Sequence, residues 1–362
     1  MESVILINYT GRHGAGNIHA LVMARELKEL GEKVIAIVSK QSDNIDDWHA
    51  LKLYDLIEID TYSNKRQFLY RTLIFSLFER YYIKRKLDRY NIEAIYCPMC
   101  TYWTYLINNL YKTTKKLICK HDPIPHDGKK ESILCEMAYK NADCIIVHSK
   151  KFVEDVKKQY INKSVVYMPL TSINIYGSKK TIVEEFYKKY KMNFIFFGVI
   201  NDYKGLDVLG KAFRMLDDQN ISLTIAANGN FEKYAGLYKK LKNCRVINRW
   251  IEDAEIPELF SCDNLVAVLP YKDATQSGVV LVAKEYDCPI IATKTGGLEE
   301  QIQDKINGLL IEPDNVEQLV YAMKTLTYND KLYCEIKNNI HNNKEINLDQ
   351  ELAKKLVDLI RQ

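Results

Sequence analysis

Residues 3–9, SVILINY, are apolar at nearly every position, and a glycine-containing loop separates them from IHALVMARELKELG, whose apolar residues recur at helical spacing up to Gly31. A second continuous apolar run, KVIAIVS at 33–39, follows at once. Strand, loop, helix and strand in this order make a βαβ unit, and runs apolar on both faces predict a parallel sheet covered on both sides. The alternation continues through AIYCPM, KLICKHD and CIIVHS, then breaks around Pro169 in VVYMPLTSINIYGS. A helix rich in Lys and Tyr is predicted over 179–191, after which the pattern restarts: NFIFFGVI, a helix at 205–216, ISLTIAAN, a helix at 231–242, CRVINRW, NLVAVLPY and PIIATKTGG. The expected fold class is therefore α/β, with two doubly wound Rossmann-like domains at 1–170 and 171–342, facing a central cleft. The segment 343–362 ends in an amphipathic helix, DQELAKKLVDLIRQ.

A length of 362 residues agrees with two domains, and a composition of 47% hydrophobic and 27% charged residues is that of an ordinary globular chain. The first apolar run is interrupted at Asn8 and Thr10, which reads as neither a signal peptide nor a membrane span, so a cytoplasmic protein is expected. Nine cysteines without paired spacing fit a reducing compartment, and CPMC at 97–100 has no second Cys or His pair at zinc spacing. The net charge of +4 divides unevenly: residues 1–170 carry 26 Lys+Arg against 20 Asp+Glu, and the rest carry 25 against 27. That excludes a nucleic-acid footprint but favours phosphate-bearing partners on the first half.

In parallel α/β sheets ligands bind beyond the carboxyl ends of the strands, so four loops carry the expected chemistry. In TGRHGAGNIHA, Gly11, Gly14 and Gly16 permit close backbone approach before a helix N-terminus, while His19 stands where a dinucleotide fingerprint needs its third glycine. In KHDPIPHDG, His121 and Asp122 end a strand in a loop stiffened by Pro123 and Pro125. In FFGVINDYKG, Lys204 precedes a helix and can meet a diphosphate as a point charge. In DATQSGVVLV, a polar turn through Gln276, Ser277, Gly278 and Val279 opens an apolar helix, the pattern of an anion-binding helix start.

With these loops in order the chain resembles glycosyltransferase family 4, nucleotide-sugar-dependent enzymes of the GT-B fold, in a branch with the ATQSG variant. The resemblance is strongest over 190–320, where FFGVINDYKGLDVLGKAF, NRWIEDAEIPELFSCDNLVAVLPY, ATQSGV and PIIATKTGGLEEQIQDKINGLLIEPDNVEQL look like successive family signatures. It implies a donor-binding C-terminal domain and an acceptor-binding N-terminal domain. Lys204 then matches the diphosphate-neutralising lysine, Gln276–Val279 the phosphate turn, and Trp250 and Ile251 the nucleobase segment. Gly14, Gly16 and Asn17 match the glycine loop near the donor phosphates, and His121 the active-site histidine. In similar proteins the last helix crosses back to the first domain.

The chain departs from the family at Val199, where an arginine is usual, and at Ala274 and Val282, where two glutamates are usual. Glu285, one helical turn past Val282, is the candidate ribose contact. No Asp-x-Asp motif occurs, so no metal or cofactor is expected, and charge on the leaving diphosphate falls to Lys204 and the helix dipole. The resemblance implies retention, with the departing phosphate oxygen deprotonating the acceptor. A hexosyltransferase of cell-surface polysaccharide synthesis is the leading expectation. A non-catalytic subunit of the same fold, supporting a partner transferase, is the alternative, and a nicotinamide dehydrogenase is disfavoured by His19.

The segment 66–90 interleaves seven Arg or Lys with Phe, Leu, Ile and Tyr. It reads either as a pair of packed helices with solvated basic residues or as a surface for an anionic bilayer, with Arg80, Lys84, Arg85 and Lys86 facing a polyprenyl-linked or other saccharide acceptor. The second reading places the protein at the inner face of a membrane.

Overall fold

A computed structural model of the chain describes residues 3–62, 64–124, 131–172, 184–344 and 347–362. The chain divides into two compact units, Met1–Ser172 with Ile346–Gln362, and Ile173–Glu345.

The first unit is built on a parallel sheet of seven strands: β1 (Ser3–Asn8), β2 (Val34–Ser39), β3 (Asp55–Ile59), β4 (Asn91–Cys97), β5 (Lys115–Lys120), β6 (Cys144–Val147) and β7 (Ser164–Tyr167). Their spatial order is β3-β2-β1-β4-β5-β6-β7. Every residue of β2 and β6 is buried, as the continuous apolar runs require of strands covered on both faces. One core lies on each side of the sheet. Trp103, Phe75 and Ile95 belong to one, and Met23, Trp48 and Tyr96 to the other.

The C-terminal helix Leu348–Arg361 closes the second of these cores, where Leu352, Ala353, Leu356 and Ile360 are buried with Met23 and Leu27 of the helix Ala15–Glu29. Asp349 anchors it by accepting hydrogen bonds from the Ser172 amide and hydroxyl. The helix is thus a structural part of the first unit, 174 residues beyond Ser172 at its point of return.

The second unit repeats the plan with six parallel strands: β8 (Met192–Val199), β9 (Ile221–Asn228), β10 (Cys244–Ile247), β11 (Leu265–Leu269), β12 (Ile290–Thr293) and β13 (Gly308–Ile311), ordered β10-β9-β8-β11-β12-β13. In both sheets the first strand of the unit has neighbours that continue the chain in opposite directions. The switch points are therefore β1/β4 and β8/β11, and ligands in such sheets sit at those points, beyond the carboxyl ends.

One expectation needs correction. The segment 66–90 is not a pair of packed helices but a single helical run from Lys65 to Leu87, carried through a π-helical stretch at Phe75–Glu79. No Gly or Pro interrupts it, so nothing in the backbone forces a turn. Of the Lys- and Tyr-rich helix expected over 179–191, the described part is helical only at Glu184–Tyr187.

Candidate active site

At the switch point of the second sheet, Gly198, the penultimate residue of β8, has φ of 120°, a conformation that glycine adopts without strain. A Cβ placed on it would stand 3.3 Å from the Lys204 ammonium and 3.7 Å from Val279 Cγ2. The sheet edge thus brings together the end of β8, Lys204 and the first turn of the helix Gly278–Glu285. Lys204 closes a 3₁₀ turn, Asp202–Lys204, and lies over the Tyr271 ring at 5.1 Å. Gly205, with φ of 69°, then turns the chain into the next helix against the Pro270 carbonyl, where a Cβ would lie 1.8 Å from the oxygen.

The polar turn itself is tightly held. Ser277 caps the helix, its hydroxyl accepting from the Val279 amide at 3.3 Å. The Gln301 carboxamide reaches back to the same residue: its Oε1 accepts from the Ser277 amide at 2.9 Å, and its Nε2 donates to the Ser277 carbonyl at 3.2 Å. The amides of Ser277 and Val279 are therefore engaged within the chain, whereas the Gly278 amide makes no hydrogen bond among the described residues. Gln276 is partly buried beside it. At this helix start the groups able to meet an anion are the Gly278 amide, the helix dipole and the Lys204 ammonium.

Trp250 and Ile251 follow β10 on the same edge, two strands from β8; Ile251 is buried and Trp250 partly so. Glu285 is the last residue of the helix that Gly278 begins, about 10 Å along the axis from it at 1.5 Å per residue, so the structure does not bring it to the turn. Its carbonyl accepts from Lys344 instead. Ala274 and Val282 are buried, and a Cβ on Gly296 would clash with the Ala274 carbonyl, so the site of the first absent glutamate is packed against the loop after β12. Lys272 is no replacement for the arginine absent at Val199, because Asp207 at 3.0 Å and Asp314 at 3.2 Å already hold its ammonium.

In the first unit the glycine loop is shaped by packing. A Cβ on Gly16 would meet the Tyr9 hydroxyl at 2.7 Å and the Met99 sulfur at 3.0 Å, and one on Gly11 would overlap Tyr9 outright. Gly14 takes φ of 83° at the helix start. Asn17 is buried, with its carboxamide donating to the Arg12 carbonyl and to Ser42 Oγ. The close approach these residues allow is thus to Tyr9 and Met99, and Asn17 ties the loop to residues 42–44.

His121 lies beyond β5 with its Nε2 2.8 Å from the Pro98 carbonyl. A carbonyl can only accept, so Nε2 carries the proton and Nδ1 is left as the acceptor. Two histidines absent from the sequence-based candidates back it: the His148 ring is 4.4 Å away and the His19 ring 5.9 Å. Burial lowers the pKa of all three, His19 to about 3, and the imidazoles repel one another's charged forms. Nothing in the local sequence around 19 or 148 signals this stack; only the order β1-β4-β5-β6 gathers it. Pro125 of the same loop lies outside the described residues.

Among the described residues one group has the donor chemistry of a metal site: His19, Cys119 and His148 have ligand atoms within 4.8 Å of one another. Both His19 nitrogens are already placed at 3.1 Å from the hydroxyls of Thr171 and Tyr96, so the group serves as hydrogen-bonded packing behind His121. Cys97 and Cys100 are free thiols.

Known proteins show the same architecture. The Anabaena HepE protein, solved in complex with UDP and glucose, superposes with a TM-score of 0.75 at 13% identity, covering 98% of this chain and 99% of that one. The fold is GT-B. Residues 178–343, most of the second GT-B unit, match the family model of glycosyl transferases group 1. An uncharacterised 41.2 kDa protein in the cps region of Klebsiella pneumoniae is 24% identical over 52% of this chain and 53% of its own length. An uncharacterised glycosyltransferase of Methanocaldococcus jannaschii is 28% identical over 53% of this chain and 52% of its own length. The chain spans about half the length of these curated relatives in the matched regions.

Proposed function

We propose that the chain is a glycosyltransferase that moves a hexose from a nucleotide diphosphate sugar to a saccharide or lipid-linked saccharide acceptor in cell-surface polysaccharide synthesis, as a family 4 enzyme of the ATQSG branch. The observation that carries this reading is the convergence of Gly198, Lys204 and Val279 at the β8/β11 switch point, where a cation and a helix N-terminus meet. The group 1 family match over the same unit and the UDP and glucose of the HepE structure support a nucleotide-sugar donor, and the cps-region relative supports the polysaccharide setting.

In this reading the second unit binds the donor, with Trp250 and Ile251 along the nucleobase and Lys204 and the Gly278 amide on the diphosphate. The bond from the sugar anomeric carbon to the phosphate oxygen breaks and the bond to the acceptor oxygen forms on the same face. The acceptor proton passes to the departing phosphate oxygen, and the nucleoside diphosphate leaves. Lys204 and the helix dipole stabilise the charge that develops on it, the role that an Asp-x-Asp-bound cation plays in other transferases. His121 belongs to the first, acceptor-binding unit and offers a neutral Nδ1 acceptor to a sugar hydroxyl.

A second reading, a non-catalytic subunit, is favoured by the buried apolar residues Ala274 and Val282 where acidic groups are usual. Calorimetric titration with UDP, GDP, ADP, dTDP and CMP separates the two. Micromolar binding of one nucleotide, weakened about tenfold in Lys204→Ala, which is about 1.4 kcal/mol, supports the transferase. Absence of binding by all five supports the subunit.

A further inference from the structure

The helical run Lys65–Leu87 buries one face and leaves another bare. On the inner face Phe75 stacks on Trp103 at 4.4 Å, Trp103 donates from Nε1 to Thr72 Oγ1, and Ile83 and Leu87 enter the core. Arg71 locks the same side by pairing with Glu79 and donating to the Asp60 carbonyl. On the outer face Leu69 and Phe78 are 72% and 68% exposed, and Leu73, Leu77 and Tyr82 are more than half exposed. Single exposed apolar residues are ordinary in a soluble protein, but this many within three to four turns form a contiguous patch, and such patches mark interfaces.

The charge around the patch selects the partner. Residues 65–87 contain seven Lys or Arg against one acid, Glu79, and that acid is taken by Arg71. Among the described residues Arg80, Arg85 and Lys86 have no carboxylate at ion-pair distance. Arg80 lies over the Tyr81 ring at 4.7 Å and Lys86 over the Tyr82 ring at 4.9 Å, so the cations ride on the aromatic residues beside them. A face of Leu, Phe and Tyr edged by basic side chains without carboxylate partners is what an in-plane helix at an anionic bilayer requires: the apolar side chains enter the acyl boundary and the cations meet headgroup phosphates. No helix among the described residues is long and apolar enough to cross a membrane, which leaves the surface as the place of contact for this helix.

We propose that this chain docks on an anionic lipid bilayer through the outer face of Lys65–Leu87, with Leu69, Leu73, Leu77 and Phe78 inserted and Arg80, Arg85 and Lys86 on the headgroups. The surface deepens the proposed function by naming its partner: a transferase held there reaches an acceptor whose lipid end stays in the membrane. The π-helical stretch Phe75–Glu79 lies in the middle of the patch and itself carries Leu77 and Phe78, with Leu69 and Leu73 before it and the basic end after it.

The test uses the full chain and vesicles of phosphatidylcholine with 30% phosphatidylglycerol, compared with phosphatidylcholine alone, in a flotation assay. The wild type floats with the anionic vesicles and at least tenfold less with the neutral ones. Two triple variants, Leu73→Gln/Leu77→Gln/Phe78→Gln and Arg80→Glu/Arg85→Glu/Lys86→Glu, each lose at least tenfold in partitioning while keeping the wild-type circular dichroism spectrum. A wild type that stays with the aqueous phase overturns the proposal. So does an apolar variant that still floats fully, which shows adsorption by charge alone, and so does a wild-type dimer that the apolar variant converts to monomer without any flotation, which makes the face a protein interface. Failure of the nucleotide titration overturns the transferase reading and leaves the flotation result standing, so the two are separable.

Discussion

The Nε2 of His121 donates to the Pro98 carbonyl across 2.8 Å while the His148 ring packs 4.4 Å from its own, so one imidazole is oriented by the backbone and held neutral by burial. His19, His121 and His148 all have pKa values below that of a free imidazole, chiefly because burial disfavours the charged form. The unfolded chain therefore binds more protons than the folded one below the ordinary imidazole pKa of about 6.5, and stability falls as pH falls through that value. Each such group costs about 1.4 kcal/mol per pH unit until its folded pKa is reached, which for His19 is about 3. Urea denaturation of the first unit's signal is expected to be flat above pH 7.5 and to lose several kcal/mol by pH 5, with a shallower slope in His19→Gln. A denaturation free energy independent of pH between 5 and 8 sinks this account.

Much of the fold is legible in the chain because buried parallel strands write themselves as continuous apolar runs: SVILIN and VIAIVS are strands within a residue of where the pattern places them. The loops at the strand ends follow from the same reading. Contacts made across sequence do not. Gln301 holds Ser277 from 24 residues away, and His19 of the helix after β1 and His148 beyond β6 converge on His121 beyond β5; none of these has a local spacing signal. The glycines of the first loop illustrate a different limit. The sequence shows that small residues are needed at 11 and 16, but only the structure shows that the Tyr9 side chain stands against both positions.

The Gln301 clamp predicts an effect at a distance. Replacing Gln301 with Leu removes both hydrogen bonds to Ser277 and leaves a buried amide without its acceptor, a loss of about 1–3 kcal/mol. Part of it falls on the turn that presents the Gly278 amide, so nucleotide affinity is expected to drop between threefold and tenfold although Gln301 touches no ligand in the proposed site. Calorimetry together with thermal denaturation checks this. An unchanged affinity with reduced stability restricts the clamp to folding.

Lys204 and Gly198 are expected to act as one unit. An alanine at 198 forces φ of 120° on a residue with a Cβ, a strain of about 1–3 kcal/mol, and pushes the methyl to 3.3 Å from the Lys204 ammonium. Since a lysine end is flexible, the ammonium moves and the diphosphate loses its partner. Gly198→Ala should weaken nucleotide binding nearly as much as Lys204→Ala, and the double variant should be little weaker than either. Additive losses in that double-mutant cycle would show that the two residues contribute independently.

Two glycines of the second unit are expected to respond in opposite directions to alanine. At Gly205 the new Cβ would stand 1.8 Å from the Pro270 carbonyl oxygen, a backbone atom that cannot swing aside, with φ of 69° adding strain. The helix start behind Lys204 must shift, so Gly205→Ala is expected to cost more than 3 kcal/mol and to abolish nucleotide binding with it. At Gly236, within the exposed side of the helix Glu232–Tyr238, a Cβ meets nothing within 4 Å. There alanine reduces the freedom of the unfolded chain and favours the helix, so Gly236→Ala is expected to stabilise by about 0.5–1 kcal/mol and leave nucleotide affinity unchanged. Urea midpoints of the two variants measured against wild type decide the matter; a well-folded, nucleotide-binding Gly205→Ala would mean that the turn from β8 into the following helix is far looser than the Pro270 contact requires.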